Sequence, residues 1–419
     1  MRLRKHRLWR PFLRPAAGRK LPPELRADSV GSLAAALPDG LRDPGFQILL
    51  RRIDQSPLLE GNRVHACFRG LETFEAMRAA IDAARAEVLV ESYIFKDDAT
   101  GRSLLETFAR AVDRGVRVCV LADAFGSIAT RRAFWNEMRS RGVEVRLFNP
   151  LFPHLLTQPF RDHRKILVVD CATGFTGGMN IGDEYGSGLS AHGGPWRDTH
   201  VKVDGPAAWA MATVFTEAWI AAGGSPIELR SLAPEEGGVG VLVLDSRPGR
   251  GHGETASALA AIVAAARKRL WITNAYFAPR RRAVRVLGEA ARRGVDVRIL
   301  LPGSSDVPLV RHAGHGYYAA LLRRGVRVFE YQAAVLHAKT LVADDFLSVA
   351  GSTNLDFRSF HFNAECNLVM LDRETARAFS EAFEADLAQS AEITPALWAR
   401  RLLLHRMYDA FARGLGPFL

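Results

Sequence analysis

The chain has 419 residues, 48% of them apolar, and carries 56 Lys and Arg against 45 Asp and Glu, a net charge of +11. That is room for two or three domains with large cores, and the charge favours an anionic partner, nucleic acid or a membrane surface, without choosing between them. No apolar run approaches the roughly 18 residues of a membrane span. The four cysteines are scattered without a C-x-x-C, which argues against a zinc or redox pair and for buried free thiols in a reducing compartment.

In chain order, residues 1–60 read as a basic, Pro-containing lead-in. Their first twenty positions hold eight Lys or Arg. There is no apolar core of a signal peptide, and Leu8, Trp9, Phe12 and Leu13 among the charges suit a membrane interface. The alternative is a disordered basic arm. A first domain is expected over 61–225. "EVLVESYIF" (87–95), "RGVRVCVLAD" (114–123) and "RGVEVRLFNP" (141–150) are strand-like and alternate with helix-length segments. Then comes "HRKILVVD" (163–170), followed by "FTGGMN" (175–180). Residues 226–240 read as a linker, and a second domain over 241–395 repeats the order. "RLWITNAYF" (269–277), "RGVDVRILLP" (293–302), "RGVRVFEYQ" (324–332), "HAKTLVAD" (337–344) and "VAGSTN" (349–354) follow at offsets of 174 to 183 residues. This is domain duplication, with a period far longer than a solenoid's. Both halves predict α/β structure, a sheet covered on both faces. Gly115, Gly142, Gly294 and Gly325 predict helix stops. Residues 396–419 form an amphipathic tail. Leu397, Leu404, Tyr408, Phe411 and Leu415 recur at helical spacing, with Arg400, Arg406 and Arg413 elsewhere on the wheel. This suits a membrane surface, or a helix packed on the protein itself.

The doubled motif carries the chemistry. On a strand, residues i and i+2 point to one side, so His163 shares a face with Lys165, and His337 with Lys339. Two halves related by a pseudo-twofold axis bring both pairs to one site, which suits a phosphodiester. Lysines neutralise the non-bridging oxygens, one imidazole attacks phosphorus, and the other protonates the departing alkoxide and deprotonates the incoming hydroxyl. Near-symmetry leaves open which histidine does which.

The spacing H-x-K-x4-D, twice, resembles the phospholipase D superfamily over nearly all of residues 60–390. "GGMNIGDEYG" (177–186), "WRDTHVKVDG" (196–205), "GSTNLDFRSF" (351–360) and "NAECN" (363–367) are similar to bacterial cardiolipin synthases of that type. The resemblance implies α/β, duplicated phospholipase D-type domains, each a β-sheet flanked by helices. It implies catalytic roles for His163, Lys165, Asp170, His337, Lys339 and Asp344, with His163 as nucleophile and His337 as general acid and base. It implies that Asn180 and Asn354, each 17 residues past its histidine, hold phosphate, and that Asp198 and Glu365 orient the histidines. Asp170 and Asp344 lie an odd number of residues past their lysines. They therefore face away on a regular strand, which leaves a role in holding turn amides open.

The implied reaction is transfer of a phosphatidyl group to phosphatidylglycerol, making cardiolipin. No metal or cofactor is required, and the implied partner is an anionic phospholipid membrane. Phospholipase D hydrolysis, a nuclease and a non-catalytic scaffold are the competing readings. "FNPLFPHLLTQPF" (148–160) has no Lys or Arg, which favours acyl chains over a nucleic-acid groove. Many such synthases begin with two transmembrane helices, whereas this chain resembles a shorter type, expected peripherally on the cytoplasmic side of the inner membrane. The Gly-rich strings "GSGLSAHGGP" and "PGRGHGET" read as flexible loops. His192, His200 and His252 lack metal spacing and read as solvated.

Overall fold

The computed structural model describes residues 30–54, 56–150, 160–186, 195–247 and 252–416. The expected basic arm (1–20), the core of the apolar stretch (151–159), most of "GSGLSAHGGP" with His192, and the start of "PGRGHGET" lie outside them.

The first half contributes β1 (Leu58–Cys67), β2 (Glu87–Ser92), β3 (Arg117–Asp123), β4 (Glu144–Phe148), β5 (Arg161–Asp162), β6 (Lys165–Val169), β7 (Thr173–Gly177) and β8 (His200–Asp204). The second contributes β9 (Val239–Ser246), β10 (Arg269–Asn274), β11 (Asp296–Pro302), β12 (Arg327–Tyr331), β13 (Lys339–Ala343), β14 (Leu347–Gly351), β15 (Asn363–Leu371) and β16 (Ser390–Ile393). They form one sheet. From its centre, where β1 and β9 pair antiparallel, the order runs outward as β8, β7, β6, β2, β3, β4 on one side. On the other it runs as β15, β14, β13, β10, β11, β12, with β16 added at the edge. The two series match strand for strand, which is the pseudo-twofold relation expected of a duplicated chain. Each half is mixed. Its outer three strands are parallel and linked by helical crossovers, and its inner strands form antiparallel hairpins. Gly115 and Gly294, at φ 83° and 90°, take the left-handed turn that ends the crossover helices before β3 and β11.

Helices cover both faces. The helix Pro206–Ala221 is apolar all round, and Met211, Phe215 and Trp219 sink under the seam against Leu59, Val241 and Leu368 from both halves. A helix with no polar stripe belongs in a core or a bilayer, and here it is core. No helix among the described residues is long and apolar enough to cross a membrane. The four cysteines are free and buried, as expected.

Residues 30–54, expected as part of a lead-in, are folded helices. Leu37, Leu41, Phe46 and Leu50 join the core of the second half, which includes Leu242 and Leu244 of β9, the strand that pairs with β1 at the seam.

Candidate active site

β6 and β13 are not neighbours in the sheet, so sheet pairing alone does not unite the two motifs. Short cross-connections do. β5, just before His163, pairs in parallel with the start of β15, and the His163 amide donates to Ala364 O at 2.9 Å. On the other side the His337 amide donates to Arg197 O at 2.8 Å. Each histidine is therefore anchored to the residue preceding an acid of the opposite half. The acids complete the exchange: His163 Nδ1 lies 3.0 Å from Glu365 Oε2, and His337 Nδ1 lies 2.7 Å from Asp198 Oδ2. Glu365 and Asp198 thus each reach across the seam to a histidine of the other half.

The pairing favours one tautomer of each ring. An ionised carboxylate at Nδ1 holds the proton there and leaves Nε2 as the reactive atom. Burial lowers the His163 imidazole to about 4 despite the opposing charge of Glu365, so the ring is neutral near pH 7. Burial and the charge of Lys339 lower His337 as well. Burial alone would raise Glu365 and Asp198, but the cationic neighbours outweigh it and both stay below the ordinary carboxylate range. Burial also lowers Lys165 to about 7 and Lys339 to about 8. Lys165 Nζ donates to His163 O at 2.7 Å, and Lys339 Nζ stands against the His337 ring, 2.8 Å from Nδ1 and 3.0 Å from Nε2. Four titratable bases are thus crowded, dry and partly uncharged, a state that an arriving phosphodiester anion relieves.

Asp170 and Asp344, expected among the catalytic residues, turn their carboxylates to backbone amides. Each sits past the far end of its strand at φ 53°. The Asp170 carboxylate accepts from the amides of Arg85, Ala86 and Glu87 at 2.8–2.9 Å, and Asp344 does the same for Arg267, Lys268 and Arg269. They fasten the turns that enter β2 and β10.

The two asparagines are buried but unlike. Asn180 Oδ1 accepts from the Ile94 amide at 3.2 Å and its Nδ2 donates to the Tyr185 hydroxyl at 2.9 Å. Asn354 Oδ1 is buried with no partner among the described residues. His200, expected in solvent, is buried, and its Nδ1 accepts from the Met179 amide at 3.3 Å. The side chain of His252 lies outside the description.

The aromatic lining escaped the sequence reading. Tyr93 meets His163 edge-on at 5.0 Å, and Tyr276, Tyr185 and Trp196 surround His337 at 5.4–5.8 Å. The signal was present, because all four lie in strings already singled out as repeated or motif-flanking. Their use is not symmetric. Tyr93 is one residue past Ser92, the partner of Lys165, whereas Tyr276 is two past Asn274, the partner of Lys339. A further asymmetry explains "GG" against "GS". A Cβ on Gly178 would come within 2.1 Å of Asp198 Oδ1, while its counterpart Ser352 donates its hydroxyl to Glu365.

Phe148 and Phe160, the ends of the apolar stretch, line a cavity of about 620 Å³ with Arg164 and Ala218. Arg164 leaves the chain between His163 and Lys165 and pairs instead with Asp245 and Glu91, so this cavity is not the catalytic pocket. Clusters of donors with the spacing to share an ion, His65–Cys67–Glu72 and His312–His315–Asp409, lie elsewhere in the described residues.

Comparison with known proteins agrees with this geometry. A family model described as "Cardiolipin synthase, PLD-like domain" matches residues 77–186 and 259–387, one region per half. Cardiolipin synthase A of Pseudomonas entomophila is 36% identical over 415 residues, covering 98% of this chain and 82% of its own. Cardiolipin synthase 1 of Bacillus anthracis is 32% identical over 402 residues, covering 92% and 78%. Among solved structures, a phosphatidylserine synthase from Haemophilus influenzae superposes with a TM-score of 0.70 at 14% identity, covering 89% of this chain and 97% of that one, a likeness of fold.

Proposed function

The chain belongs to the cardiolipin synthase family with phospholipase D-like domains, and from that footing we propose that it joins two phosphatidylglycerol molecules into cardiolipin through a phosphohistidine. The observation that carries this reading is the reciprocal pairing of two buried histidines with acids of opposite halves. It gives one site two imidazoles with matched tautomers and separate duties.

In the first step His163 Nε2 attacks phosphorus and the bond to the glycerol headgroup breaks. His337 Nε2–H passes its proton to the departing glycerol oxygen. In the second, a hydroxyl of another phosphatidylglycerol gives its proton to His337 and attacks phosphorus, and His163 leaves. Lys165 and Lys339 hold the non-bridging oxygens. Bound phosphate favours the protonated forms of both lysines and of His337, which supplies the acid that the first step needs. Water in place of the second lipid makes phosphatidic acid instead. The net positive charge supports work at an anionic bilayer, approached peripherally from the cytoplasmic side.

Purified protein incubated with phosphatidylglycerol vesicles should yield cardiolipin and glycerol in equal amounts, with turnover that survives a chelator. Acid quenching should destroy the phosphoenzyme, and alkaline quenching preserve it. Phosphatidic acid as the sole product would replace transfer by hydrolysis. Efficient cutting of single-stranded DNA with no lipid product would overturn the lipid assignment.

A further inference from the structure

The tail packs in an unexpected sense. The helix Leu403–Gly414 rests on the helix Pro308–Leu322 through its polar side. Asp409, buried, lies 2.8 Å from His312 Nδ1 and also pairs with Arg401, while Ala412 is buried with Ala278 and Ala313 and Arg413 donates to Gly316 O at 3.1 Å. At 3.6 residues per turn, Leu403, Leu404, Met407 and Phe411 then fall on the side away from the protein. They are 60–75% exposed, and Leu397 and Leu402 beside them are 57% and 66% exposed. A helix that only covered its own protein would bury this face and leave the charges outside.

The charge around the face chooses its partner. Asp409 is the only acid between residues 394 and 419, and it is buried. Arg400, His405, Arg406 and Arg413 are exposed around the apolar side. The surface therefore offers apolar side chains within a cationic rim and no negative charge, the complement of an anionic lipid interface.

Its platform leads to the catalytic centre. The helix Pro308–Leu322 begins two residues after Asp306, which accepts from the Tyr276 hydroxyl at 2.6 Å, and Tyr276 lies edge-on to His337 at 5.8 Å. We infer that Leu403–Gly414 is a bilayer-docking helix, inserting Leu403, Leu404, Met407 and Phe411 among anionic phospholipids and seating the acid–base side of the site at the lipid surface. The inference rests on the lipid reading above for the site's substrate, but not for the docking itself.

Two variants test it. Leu404→Glu/Met407→Glu/Phe411→Glu should bind phosphatidylglycerol vesicles at least about tenfold more weakly in flotation, with vesicle turnover falling alongside. Its melting temperature and its turnover on phosphatidylglycerol in detergent micelles should match the parent's. Met407→Trp should show a blue-shifted emission on these vesicles, quenched by lipids brominated in the upper acyl chain. Wild-type vesicle binding by the triple variant, or an unshifted Met407→Trp emission on bound protein, overturns the inference. So does conversion of a wild-type dimer to a monomer with vesicle binding unchanged, which would make the face a contact between copies. Vesicle binding that depends on the face, without cardiolipin from either vesicles or micelles, upholds docking and counts instead against the proposed function.

Discussion

His163 and His337 depend on each other within one cycle, because the nucleophile needs its leaving group protonated and its second substrate deprotonated. His163→Ala or His337→Ala alone should therefore lower turnover by about 10²–10⁴-fold or more. Asp198→Asn and Glu365→Gln keep the volume but remove the charge that holds each ring, and should cost less. Near-wild-type cardiolipin production by either alanine variant would sink the shared centre. The same burial writes a pH dependence into stability. His163 and His200 are each lowered from 6.5 to about 4, first by desolvation. Between those values the unfolded chain binds protons that the folded chain refuses, so stability falls as pH drops from 6.5 towards 4. His200→Asn retains an acceptor for the Met179 amide and lacks the titration. Urea melts at pH 7 and pH 5 should show it losing less stability on acidification than the parent. An identical loss would refute the assignment of acid sensitivity to His200.

At the scale of elements, the two aspartates of the repeated motif work on turns. Asp170→Ala leaves the amides of residues 85–87 without their acceptor at a left-handed position, and Asp344→Ala does the same at 267–269. Each should destabilise the fold by about 2–4 kcal/mol in denaturant melts. Turnover per folded molecule should change little. A loss of turnover comparable with His163→Ala, at wild-type stability, would return these residues to the chemistry.

For the whole molecule, the halves are interlocked rather than joined. The sheet is continuous through β1 and β9, the core beneath the seam is shared, and Arg164 of the first half is buried against Asp245 of the second, with Ser246 O at 3.0 Å. A buried guanidinium left without its carboxylate is costly, about 3–5 kcal/mol. A chain stopped after residue 238 keeps His163 and Lys165 but loses Glu365, Asp245 and β9, one of the two partners of β1. It should form no phosphohistidine and turn over no lipid, read by radiolabel transfer and product analysis. Activity in that fragment would mean that one half holds a complete site.

Much of this was legible in the linear chain because it is local or repeated. Strand alternation, glycine helix stops and the H-x-K spacing are short-range patterns, and duplication let each half vouch for the other. The distrust of Asp170 and Asp344 as catalysts needed only the parity of a strand. Resemblance supplied Asp198 and Glu365, but not the fact that each serves the histidine of the opposite half. That exchange depends on pairings at β5 with β15 and at Arg197 with Leu336, contacts between residues far apart in sequence. The same reason hid the burial of His200, the aromatic walls around His337 and the folding of residues 30–54 onto the second half. Helical spacing made the tail amphipathic in sequence, yet periodicity has no inside or outside. Only the packing of Asp409 and Ala412 against Pro308–Leu322 decided that their side faces the protein and the apolar side faces out.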